Sequence, residues 1–79
     1  MARWVRVVSE EWQLRLSDAV SAYVFLVDEK WVCAVIGLDG QRHSLAATTS
    51  DAAKTEALEY VKSLMLALAS AIGDVEKGQ

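Results

Sequence analysis

The sequence predicts an α+β fold: an antiparallel sheet of four or five short strands with one long C-terminal helix packed across one face. Three observations predict it. Short runs rich in β-branched and aromatic residues recur through the first 47 positions, separated by turn residues. An Asp39-Gly40 pair, a strong hairpin signal, sits between the last two runs. The only long stretch with helical periodicity, residues 51–72, comes after all of them. At 3.6 residues per turn it makes about six turns.

A chain of 79 residues is one domain, with strands over about 3–47, the helix over about 51–72 and a tail over 74–79. So short a chain buries only about 60% of its unfolded surface, and small domains usually add disulfides, a metal or oligomerisation. One cysteine, Cys33, rules out an internal disulfide. One cysteine and one histidine fall short of the four ligands of a structural zinc site, so no metal and no cofactor are expected. Oligomerisation is the option left, and the 53% apolar composition agrees with it. A net charge of −3 argues against a basic nucleic-acid-binding surface and against anionic membranes. No run is long enough for a signal peptide core or a membrane span, and a lone thiol fits the reducing cytoplasm.

The elements follow in order. Residues 3–8 (RWVRVV) and 12–16 (WQLRL) read as strands, the second by clean alternation. A short helix capped by Ser9 is the rival reading of residues 9–16. Ser17-Asp18 turns the chain into a more apolar strand over 20–27. Asp28-Glu29-Lys30 turns it again into residues 31–37 (WVCAVIG), and residues 42–47 return antiparallel. Thr49 or Ser50 caps the helix, with Asp51 in its first turn complementing the dipole, and Gly73 is the expected stop.

A two-residue type I′ turn at Asp39-Gly40 would pair Leu38 with Gln41, Ile36 with His43, Ala34 with Leu45 and Val32 with Ala47. That face would lie under the helix. Cys33 and His43 would then sit on opposite faces, which argues against a nucleophilic Cys–His pair. The inference holds only for that loop length. The paired acids Glu10-Glu11 and Asp28-Glu29 read as turn and cap residues, so no catalytic residue is assigned and no enzyme is expected.

Plotted at 100° per residue, the helix carries a core stripe of Leu58, Val61, Leu64, Met65, Leu68 and Ile72. Thr55, Glu59, Lys62, Ser63 and Ser70 form the polar side, and Leu66 falls in its middle. Leu66, with Tyr60, Ala67 and Ser70 beside it, is the first candidate partner surface, since contiguous apolar surface on a small protein marks an interface. Trp4, Trp12 and Trp31 read as core or dimer packing or, alternatively, as partner-binding hot spots. Arg42 belongs with them, in a sheet half that also holds Arg3, Arg6, Arg15 and Lys30.

Residues 23–61 resemble the three-stranded sheet and helix of arm-type integrase DNA-binding domains: strand, glycine turn, strand, then Thr49 and a helix opening with Ala53-Lys54. The resemblance implies the fold; the strongly basic sheet of that family is missing, with only Lys30 and Arg42 near the hairpins, so DNA binding is not carried over. In size and acidity the chain is similar to small phage-encoded inhibitors, including anti-CRISPR proteins. The expected function is non-enzymatic protein binding by a homodimer that occludes an unidentified partner protein. Nucleic-acid binding through the sheet face is the alternative.

Overall fold

The computed structural model describes residues 3–78. Five strands follow in chain order: β1 (Trp4–Val8), β2 (Glu11–Arg15), β3 (Ser21–Val27), β4 (Lys30–Ile36) and β5 (Arg42–Ser44). A single helix, α1 (Ser50–Lys77), comes last. The strands make one antiparallel meander in the order β1-β2-β3-β4-β5. The fold is therefore α+β, with α1 across one face. Residues 11–15 are strand, because alternation puts Trp12 and Leu14 on the helix side with Val24 and Ala22 beside them.

The turns differ from expectation. The tight two-residue turn is at Asp28-Glu29, where Val27 pairs with Lys30 and both turn residues have positive φ (50° and 64°). Asp39-Gly40 instead lies in a five-residue connection, residues 37–41. Gly37 (φ 99°) and Gly40 (φ 66°) bend it, and the Gly40 N–H donates to the Val35 carbonyl at 3.0 Å. The longer loop changes the register: Cys33 pairs with His43 and Ala34 with Arg42. A slip of an odd number of residues exchanges the two faces of a strand. Cys33 and Val35 pack under the helix, with His43 now on their face, whereas Ala34 and Ile36 face the other way with Arg42.

The helix seats on the sheet through its first half. Thr49 caps it, the Oγ1 accepting from the Ala52 N–H at 3.2 Å, with Asp51 in the first turn. Ala53 and Ala57 pack on Val24, Trp31 and Cys33, and Val61 packs on Leu14, Ala22 and Val35. From Ala53 to Val61, α1 thus runs along β3 and β4 and leaves the sheet over the β2–β3 turn and the β4–β5 loop.

The helix does not stop at Gly73. It continues to Lys77, where the Gly78 N–H closes it on the Asp74 and Val75 carbonyls. A glycine inside a helix costs only about 1 kcal/mol, and no proline follows to break it. Twenty-eight residues span about 42 Å, whereas seven-residue strands span about 23 Å. The molecule is accordingly 49 Å long and 25 Å wide, and the distal helix projects past the sheet. The predicted core stripe is split by this: Val61 is buried and Leu58 and Leu64 half-buried, but Met65, Leu68 and Ile72 are exposed.

Two substitutions test the turns. Glu29 holds a left-handed backbone that a glycine adopts freely, so Glu29→Gly raises stability by about 1 kcal/mol in urea unfolding. A Cβ on Gly37 would stand 2.0 Å from the Ala19 carbonyl oxygen, so Gly37→Ala costs about 2 kcal/mol or more. A neutral effect at either position would contradict the turn geometry.

Candidate interaction surfaces

The projecting helix is the first surface. From Met65 to Gly78 every residue but Gly73 is exposed. Met65, Leu66, Leu68, Ile72 and Val75 each expose half or more of their surface. Val75 joins Leu64, Leu68 and Ile72 in continuing the angular stripe that begins at Ala53, Ala57 and Val61. The apolar face that holds the helix to the sheet therefore runs on unchanged where no sheet lies beneath it. Leu66, 72% exposed, points the other way, with Ala67 and Ser70 exposed beside it.

The remaining predicted site residues do not join Leu66. Tyr60 is half-buried and engaged: its hydroxyl donates to Asp39 Oδ2, and its ring stacks on His43 at 4.1 Å between centroids. Trp31 is buried in the core of the protomer. Trp4 is half-buried and packs against both core clusters. Trp12 is half-buried, with the Lys54 ammonium 3.4 Å over its ring. All three tryptophans serve the helix-facing side of the sheet, as aromatic bodies do where large apolar area is needed. Arg42 lies on the opposite face, its guanidinium 5.5 Å above the Phe25 ring.

That opposite face is the second surface; the sequence reading named a sheet face and Arg42, but not the groove residues beside it. Among the described residues, no element covers it. A shallow groove of about 440 Å³ lies there, lined by Glu11, Tyr23, Phe25, Val27, Ala34, Ile36 and Arg42. In β3, residues 22, 24 and 26 are as apolar as residues 23, 25 and 27, so alternation gave no sign of which set is covered.

Local clamps fix the loop and helix around these surfaces. The Glu56 carboxylate accepts from the Ala46 and Ala47 N–H groups at 2.9–3.1 Å, tying the exit of β5 to α1. Tyr60 and Asp39 tie the β4–β5 loop to the same helix. The hydrogen bond from Tyr60, with the Gln41 N–H, holds the Asp39 carboxyl below its ordinary pKa, and the same bond raises the Tyr60 phenol. Cys33 and His43 are register partners on one face, contrary to expectation. Burial, with the charges of Asp39 and Glu56, pushes the Cys33 thiol up to about 11, so it stays protonated near neutral pH and is a poor nucleophile. Among the described residues, no three His, Cys, Asp or Glu side chains converge as metal ligands. No helix among them is long and apolar enough to cross a membrane. Compared with protein-family models, curated proteins and solved structures, the chain matches none.

The Asp39–Tyr60 clamp has a pH signature. A depressed carboxyl pKa contributes stability above the unfolded value of 3.8 that is lost as pH falls through the lower folded value. A raised phenol pKa contributes stability below the unfolded value of 10.0 that is lost as pH rises through the higher folded value. The stability difference between the wild type and Tyr60→Phe is therefore flat in between and shrinks at both extremes. Urea unfolding across pH checks this, and a difference that does not change with pH would contradict it.

Proposed function

We propose that this chain is a non-enzymatic protein-binding module that assembles as a homodimer and acts by occluding the surface of a partner protein. The observation that carries the reading is the distal half of α1, where Met65, Leu66, Leu68, Ile72 and Val75 stand exposed past the end of the sheet. A surface helix keeps one polar face; this one is apolar on both sides, so two contacts are required to cover it. The stripe through Leu68, Ile72 and Val75 serves the second copy. The opposite side, Leu66 with Ala67 and Ser70, serves the partner, where small neighbours admit close approach. The likeness to small acidic phage-encoded inhibitors points to the same mode of action.

A second reading is favoured by one observation. Tyr23, Phe25 and Arg42 share the uncovered sheet face, and aromatic and guanidinium groups on a sheet can stack nucleic-acid bases. A mobility shift that weakens with salt would favour it over protein binding.

Sedimentation equilibrium tests the main reading. The expected mass at high micromolar concentration is twice the 8.7 kDa protomer; a strict monomer would remove the homodimer. Leu66→Asp is expected to leave fold and dimer intact while abolishing partner capture from host lysate. Undiminished capture would show that Leu66 is merely exposed.

A further inference from the structure

We infer that the projecting half of α1 lies across the uncovered sheet face of a second copy, while the second copy's helix covers the first copy's sheet in return. The inference rests on the homodimer reading and names its geometry.

Direction comes first. The stripe of Leu64, Leu68, Ile72 and Val75 keeps the phase of Ala53, Ala57 and Val61, so it points toward the plane of its own sheet, extended past the strand ends. The missing surface is therefore a second sheet, end to end with the first. A two-fold axis lying in the sheet plane, perpendicular to the helix, places that sheet there. It also turns it over, so the face meeting the projecting helix is the second copy's uncovered one. One rotation covers both unpartnered surfaces of both copies, as an isologous dimer requires.

Length and chemistry agree. From Leu64 to Lys77 the helix extends about 20 Å, enough to clear the β4–β5 loop and lie over the near part of a sheet whose strands are about 23 Å long. Ile72 and Val75 then meet the near end of the groove, at Ile36 and Tyr23 of the second copy. The helix tip carries Asp74 and Glu76 beside Lys77, and the near part of the uncovered face carries Arg15 and Arg42, with Glu11 farther along the groove. Area separates this arrangement from its rival. One side of a 20 Å helix offers on the order of 400 Å², so two projecting helices packed only on each other reach about half of the ~800 Å² per partner of a stable interface. In the reciprocal arrangement each copy contributes a helix side and a sheet face.

Disulfide trapping tests it. Ile36 and Ile72 are both exposed, so cysteines there should not disturb folding. They lie on opposite sides of the protomer's own sheet, which bars a bridge within one chain. The double variant Ile36→Cys, Ile72→Cys is expected to run as a covalent dimer after mild oxidation, whereas each single variant stays monomeric on a non-reducing gel. Self-cross-linking by Ile72→Cys alone would show helix-on-helix pairing and overturn the arrangement while leaving the homodimer. A non-covalent dimer in which the double variant fails to cross-link would also overturn it. A monomeric mass for the wild type would remove the homodimer itself.

Discussion

The structure depends on a seam of small side chains between helix and sheet. Ala53, Ala57 and Ala22 are fully buried, as are Val24, Cys33 and Val35, and Val61 and Leu14 are nearly so. Small residues on both sides let the helix approach the sheet closely, and close-packed interiors gain from such contact. Each of these side chains buries little apolar area, so the seam alone is modest. Larger groups close its margins: Trp31 within the core, and Trp4 and Tyr60 at its edge. The contacts of Lys54 with Trp12, Glu56 with the β5 exit and Tyr60 with Asp39 all lie within the first 11 residues of α1 and fix its position and direction. Val61 and Leu64 still rest on the sheet, and from Met65 onward the helix takes that direction without support from it.

How far the sequence could be read follows from how local each signal is. The strands were legible because β-branched and aromatic runs and the alternation in residues 12–16 act within a few residues. The helix start was legible for the same reason, through Thr49 and Asp51. The β4–β5 connection was not. Asp39-Gly40 has the composition of a two-residue turn, but Gly37 can also take positive φ, and two flexible points made a longer loop. That choice shifted β5 against β4 and put His43 on the face of Cys33 and Arg42 on the face of Ala34. The tight turn formed at Asp28-Glu29, where the seven-residue ladder between β3 and β4 overrides an unfavourable backbone at Glu29.

The helix end failed for a related reason. Gly73 is a common stop, yet nothing after it breaks a helix, and the Gly78 cap four residues beyond Asp74 is an equally good terminus. Of the candidate site, Leu66, Ala67 and Ser70 stand where the helical angle put them. For the tryptophans the sequence left core and partner readings both open, because hydrophobic size marks both cores and interfaces and only the tertiary register tells them apart. The same ambiguity produced the split stripe: Leu68 and Ile72 have core periodicity, but a core exists only as far as the sheet extends.

A sheet open on one face and a helix that outruns it are complementary deficits in one molecule, and the proposed second copy would cover both. The most direct measure of that account is amide hydrogen exchange along residues 65–77, followed over a series of protein concentrations. Exchange reports local opening residue by residue, and mass action links protection to association. The account predicts that protection of this segment rises with concentration toward that of residues 53–61. Rapid exchange in residues 65–77 at every concentration, beside a protected first half, would contradict it.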